Sequence, residues 1–248
     1  MWRPLILILA LLVATNCSSH RVSQTNSAVV SQNAATPQVK APSLASGHSE
    51  ISGGSHTKKD IPAAFTAIDF KNHSYPGRQR IGLSNGSDEH AFQNGGGGVT
   101  FDFKDVYYVD LTGDGKEEAI VRLSRVECGG SCDGGSDLFY FLSAKNNKLI
   151  FLSRIETGSI GYGCGLKSFV LHERTLVLEA FRKCTFDGIS LNSAYDADVK
   201  GGKFTANEFT RFTFRFNGRT FVQRKRELLP NPASDVKNYP VEISIVND

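Results

Sequence analysis

Thr210-Arg211-Phe212-Thr213-Phe214-Arg215-Phe216-Asn217-Gly218-Arg219-Thr220-Phe221 reads as a strand, a turn and the start of a second strand. Successive side chains of an extended chain point to opposite faces, so Thr210, Phe212, Phe214 and Phe216 share one side. Arg211, Thr213 and Arg215 share the other. One face suits a core and the other suits water. Asn217-Gly218 supplies the positive φ angles of a type I′ turn, which sends the chain back antiparallel.

The same alternation extends outward on both sides. Short aromatic and β-branched runs separated by Gly, Asn and Asp predict strands at 65–70, 99–109, 118–126, 137–144, 149–156, 166–172, 175–183, 208–216 and 219–225. Lys145-Asn146-Asn147-Lys148 and Glu173-Arg174 read as two further hairpin tips. Leu138-Phe139-Tyr140-Phe141-Leu142 is apolar at every position, the pattern of a central strand covered on both faces. Seventeen Phe and seven Tyr agree with aromatic-rich strands. No run of ten residues carries a helical period. The expected fold is all-β, an antiparallel meander of hairpins forming a sandwich or partly closed barrel over residues 61–230, with 231–248 a C-terminal tail.

Upstream the character changes. Met1 to Asn16 has a short basic start with Arg3 and an apolar run from Leu5 to Ala14, which predicts a signal peptide over 1–16. Ten residues of helix span roughly 15 Å, half of a bilayer core, so a transmembrane helix is not expected. The segment resembles bacterial lipoprotein signals, in which a small residue precedes a lipidated cysteine, here Cys17 followed by Ser18 and Ser19. Asn16 departs from that pattern. Two outcomes stay open: a lipid anchor on Cys17, or cleavage near Ala14 and a secreted or periplasmic protein. Residues 17–60 are rich in Ser, Asn and Gln and poor in large apolar side chains, so a disordered tether of roughly 35–40 Å is expected.

Asp110-Leu111-Thr112-Gly113-Asp114-Gly115-Lys116-Glu117-Glu118 is the most chemically suggestive stretch. Asp110, Thr112, Asp114 and Glu118 place side-chain oxygens at loop positions one, three, five and nine, and the Lys116 carbonyl supplies position seven. Gly113 and Gly115 permit the tight turn that converges them on a hard cation. Val121 stands where an EF-hand needs its Glu, and strands flank the loop, so an EF-hand is excluded. The same residues, unaided by a metal, are good turn formers. The loop resembles the calcium loops of FG-GAP and VCBS-type repeats, with Thr112 in place of the usual Asp, and this resemblance implies a structural Ca²⁺. With "VYY-DLTGDGKEEA-V" and "FTR-x-x-FRFNGRTF", the span from Ile68 to Val222 also resembles a family of bacterial exported proteins of unassigned activity. That likeness implies location and fold only.

Five cysteines are an odd number for an oxidising compartment. A lipidated Cys17 leaves four. Cys164 and Cys184 lie ten residues either side of Arg174, which places them opposite each other across a hairpin, and Cys128 and Cys132 bracket a turn through Gly129-Gly130-Ser131. Disulfides 164–184 and 128–132 are expected, with a zinc site as the alternative.

A net charge of +3 gives no reason to expect nucleic-acid binding. Residues 203–226 carry seven basic side chains and one acidic one, which suits a solvated strand face or contact with an acidic surface. The glycine runs 95–98 and 129–135 lack the Lys-Ser or Lys-Thr of a phosphate loop and read as flexible loops. No motif marks a catalytic nucleophile, and no catalytic residue is assigned. The expected function is a non-catalytic exported binding or structural module, lipid-anchored in a bacterial envelope with an unknown envelope partner, and calcium-stabilised. An envelope enzyme inhibitor or immunity-type protein is the alternative, and a hydrolase with an unrecognised site is the second.

Overall fold

The computed structural model describes residues 61–132, 135–161, 163–193, 199–200, 203–204, 206–232 and 241–246. The signal peptide, Cys17 and the tether lie outside the described residues. The fold is all-β, with antiparallel sheets that include a curled half-barrel. In chain order the strands are β1 (Ser74–Tyr75), β2 (Ile81–Gly82), β3 (Ser87–Ala91), β4 (Gly98–Val109), β5 (Glu118–Cys128), β6 (Ser136–Lys145), β7 (Lys148–Glu156) and β8 (Leu166–His172). They continue with β9 (Thr175–Phe181), β10 (Cys184–Phe186), β11 (Leu191–Ser193), β12 (Val199–Lys200), β13 (Lys203–Phe204), β14 (Glu208–Phe216), β15 (Phe221–Pro230) and β16 (Glu242–Val246).

One five-stranded sheet runs β3-β4-β5-β6-β7, a plain antiparallel meander, and the second runs β15-β14-β9-β8-β16. Phe139, Phe141, Ile120 and Ile155 of the first sheet share a buried cluster with Phe169, Leu178, Phe212, Phe214 and Phe221 of the second. Across this layer Phe139 stacks on Phe169 with centroids 4.1 Å apart, and Phe141 meets Phe221 at 4.6 Å. The opposite face of the first sheet is covered by the segment before β3: Phe65, Phe70, Tyr75, Ile81 and Leu83 pack on Val121, Leu123, Leu138, Tyr140 and Leu142. Strand β6 is therefore buried on both faces, as its unbroken apolar run requires. Thr210, Phe212, Phe214 and Phe216 face the core as the alternation predicts.

Four expectations are corrected. Residues 65–70 are not a strand: two 3-10 turns, Ala63–Phe65 and Phe70–Asn72, stand there. Asp69 explains the second, because its carboxylate accepts from Lys71 N at 3.0 Å and Asn72 Nδ2 at 2.7 Å, a local alternative to a sheet ladder. The turn at Asn217-Gly218 is a four-residue loop closing Phe216 on Phe221, with Asn217 Oδ1 accepting from Arg219 N and Thr220 N. Positive φ at both central residues occurs instead at Asn146 and Asn147. The glycine run 95–98 is a close-approach site rather than slack: a Cβ on Gly97 would lie 1.8 Å from the Cys128 carbonyl oxygen. Lastly, part of the expected tail forms β16, the one parallel neighbour in its sheet, and Val241, Ile243 and Ile245 pack on the inter-sheet core.

Candidate functional site

Two places carry chemistry. The first is the loop between β4 and β5, where Val109 pairs with Glu118 and the eight residues between them turn tightly. Gly113 and Gly115 adopt positive φ, as the turn demands. Asp110 organises it: Oδ1 accepts from Gly113 N at 2.6 Å and Asp114 N at 3.2 Å, and Oδ2 accepts from Gly115 N at 2.8 Å. Glu118 is buried, and its Oε2 accepts from Leu111 N at 2.9 Å and Thr112 N at 3.1 Å. Burial pushes the Glu118 carboxyl above the ordinary glutamate value, with Asp114 and Asp110 adding to the rise against those two hydrogen bonds. The Lys116 N–H, foremost, holds the Asp114 carboxyl low.

The expected ligand set is thus brought together in one turn: Asp110, Thr112, Asp114, Lys116 and Glu118. Thr112 Oγ1 is buried without a well-formed hydrogen bond, but among the described residues no three Asp, Glu, His or Cys side chains are grouped so as to hold a metal ion. The turn also stands without one. Its carboxylates already take six backbone N–H groups, and the Arg174 guanidinium packs on Gly113, close enough that a Cβ there would lie 2.5 Å from Nη2.

The second place was not legible beforehand. Along β5 the positions facing the N-terminal cover run Ala119, Val121, Leu123 and then Arg125 and Glu127. The neighbouring strands change with them. Phe101, Arg125 and Ser136 form one cross-strand row over β4, β5 and β6, while Arg154 pairs with Tyr140 and Glu156 with Leu138. Here the apolar face turns charged, and a cleft of about 540 Å³ opens on it. One wall is the segment through Arg78 and Gln79, and the other is formed by Thr157–Ser159 and Ser190–Ser193. Arg125 pairs with Glu127 on the same strand, and Arg154 lies 3.7 Å from Glu156.

Both disulfides brace this cleft. The bonds Cys128–Cys132 and Cys164–Cys184 are formed, with Cα atoms 4.1 and 5.8 Å apart. Cys128 directly follows Glu127, and Cys164 directly follows Gly163, both of them lining residues. Gly158 N donates to the Cys164 carbonyl at 3.0 Å, which ties the Thr157–Ser159 wall to this cysteine. The expected register is corrected in detail. A bulge at Lys167 shifts the β8–β9 ladder, so Cys164 N bonds Phe181 O and not a partner at 184. Arg182 then turns the chain at φ 74°, and the Thr210 hydroxyl binds Arg182 O and Cys184 N, bringing Cys184 back to Cys164.

The basic stretch before residue 226 is an edge. Arg211 is drawn to buried Glu179, while Arg224, Lys225 and Arg226 are exposed on β15, the outer strand of its sheet. Charges on such an edge discourage strand addition. No family model, no curated protein and no solved structure matches the chain.

Proposed function

We propose that the chain is an exported binding module of a bacterial envelope, anchored by lipid on Cys17, which takes up a small polar ligand in the cleft above β5 and β6. The observation that carries this reading is the change from Ala119, Val121 and Leu123 to Arg125 and Glu127 at inward positions of a single strand. Charges at such positions add less to stability than apolar side chains would, so their presence on a concave surface points to a ligand. The cleft volume lies within the range of small-molecule sites, about 300–1,000 Å³.

The Asp110–Glu118 loop lies elsewhere on the sheet and serves stability in this reading. Asp110, Thr112, Asp114, the Lys116 carbonyl and Glu118 would hold a Ca²⁺ that pins the turn. A hydrolase is the second reading, favoured by the presence of Glu127 and Glu156 on the cleft. Glycosidic hydrolysis uses a carboxyl pair, but Glu127 is paired with Arg125, and Glu156 lies beside Arg154 at 3.7 Å.

Equilibrium dialysis of the intact protein against the small-molecule extract of its own envelope tests the binding reading. A polar solute retained by the wild type and lost in Arg78→Ala supports it. Identical retention by the two proteins contradicts it. Palmitate labelling tests the anchor: label on the wild type and none on Cys17→Ala is expected, and an unlabelled, fully soluble wild type removes lipidation from the account.

A further inference from the structure

Arg154 is the most enclosed charged side chain on the cleft, with its side chain 8% exposed. A guanidinium carries five N–H donors. The fold supplies few partners for them. Nη1 donates to the Pro76 carbonyl at 3.3 Å, Nη2 stands 3.7 Å from Glu156, and the group lies over the Tyr140 ring, 5.9 Å from its centroid, where it also acts on the Tyr140 hydroxyl. The first is a long hydrogen bond, the second is beyond hydrogen-bond length, and the third is a cation–π contact. A buried cation so thinly paired is costly unless something else meets it.

Ser136 supplies a second, independent sign. It borders the cleft, is 6% exposed, and its hydroxyl is shut from solvent without a hydrogen bond. From the opposite wall comes Arg78, exposed and without an ion pair among the described residues. Asp187, the acid it acts on, is already taken by Ile189 N, Ser190 N and Asn192 Nδ2. Three arginines, Arg78, Arg125 and Arg154, stand against two glutamates, Glu127 and Glu156, so the lining keeps one positive charge.

We infer that the cleft holds its ligand by a single carboxylate, gripped by Arg154 and Arg78, with hydroxyl groups of the ligand meeting Ser136, Gln79 and Asn192: the chemistry of a sugar acid. This rests on the reading of the cleft as the binding site. Charge decides against a phosphate ester, which carries about 1.5 to 2 negative charges at neutral pH and would leave the lining overcompensated. The planar fork of arginine suits a carboxylate.

The test titrates sodium glucuronate, glucose and glucose 6-phosphate into the full chain and follows amide chemical shifts. Glucuronate should move the amides of residues 77–81 and 154–159, and glucose should not. Arg78→Ala, at an exposed position where the fold does not depend on the side chain, should weaken glucuronate about tenfold, the scale of one charge-assisted contact. Arg154→Lys, which keeps the charge and loses the fork, should weaken it as well. The inference is overturned if glucuronate moves nothing, if Arg78→Ala binds as the wild type does, or if glucose 6-phosphate binds more tightly. Should glucose bind the cleft as well as glucuronate does, the carboxylate fails while the cleft remains a binding site. If neither these probes nor retained envelope solutes move cleft amides, the cleft reading fails too.

Discussion

Gly77 and Arg154 are in such close contact that a Cβ on Gly77 would lie 2.9 Å from Arg154 Nη1 and 2.6 Å from the Gln79 carbonyl oxygen. The second distance involves backbone, so the segment must shift to accept a methyl group. Gly77→Ala is expected to cost about 1–3 kcal/mol, the range for overpacking, and to weaken cleft binding by displacing both Arg154 and Arg78. Urea denaturation checks the first effect, and titration of the cleft checks the second. A Gly77→Ala variant with wild-type stability and affinity would show that the wall yields freely.

Asp110 has a role that does not need a metal. Its carboxylate accepts three backbone N–H groups, so Asp110→Ala should lower stability by about 1–2 kcal/mol even in chelator, as loss of a helix cap does. Calcium should add to wild-type stability by RT ln(1 + [Ca²⁺]/Kd). With Thr112 neutral, a Kd of about 10⁻⁴–10⁻³ M is expected, the weak range of extracellular modules. Thermal melts in chelator and in about 10 mM calcium, tenfold above that weakest Kd, separate the two. An unmoved wild-type midpoint leaves the loop as a turn alone.

Glu179 and Glu118 should pull the acid limb of stability in opposite directions. Burial raises the Glu179 carboxyl, but hydrogen bonds and charge from Lys167 and Arg211 outweigh it and hold the group below the ordinary value. A depressed carboxyl stabilises above its unfolded pKa, and that contribution is lost as pH falls through the folded value. Glu118 is raised, so without calcium its contribution is present at low pH and is lost as pH rises through its folded value. Glu179→Gln should therefore flatten the loss of stability on acidification, and it should cost about 1–3 kcal/mol at neutral pH by weakening charge-assisted hydrogen bonds to Lys167 and Arg211. Calcium-free Glu118→Gln should flatten the opposite trend. Urea midpoints from neutral to acid pH, read for each variant, decide it.

The two disulfides should differ in worth. Cys164–Cys184 encloses a separation of 20 residues and Cys128–Cys132 one of 4, and a longer loop constrains the unfolded chain more. Replacing Cys164 and Cys184 by serine is expected to cost about 2–5 kcal/mol and to loosen the Thr157–Ser159 wall. The 128–132 replacement should cost less. Equal costs in denaturant would mean that strain or residual structure dominates.

The sandwich could be read from the chain because period-two alternation is decided locally. Phe212, Phe214 and Phe216 each state their face, and Phe139 to Phe141 can be apolar throughout only between two layers. Residues 65–70 misled because Phe65 and Phe70 are buried by turns that Asp69 caps, not by a ladder. The Asp110–Glu118 loop was visible for the same local reason, since spacing sets which oxygens share a turn. The cleft was not, because Arg125 and Glu127 look like the solvated end of a strand until Arg154, Ser136 and Arg78 arrive from three other segments. Inward parity at Arg125 was the available signal. β16 was hidden because a parallel neighbour depends on where a distant chain returns.

Hydrogen exchange of the full chain, with and without the small-molecule extract of its envelope, tests the central claim most directly. A ligand seated between Arg78 and Arg154 should slow exchange in residues 77–81, 125–127, 154–159 and 190–193 and leave the Asp110–Glu118 loop unchanged. Slowing confined to another surface, such as the half-exposed Ile150 and Phe151 on the edge strand β7, or no slowing anywhere, would contradict it.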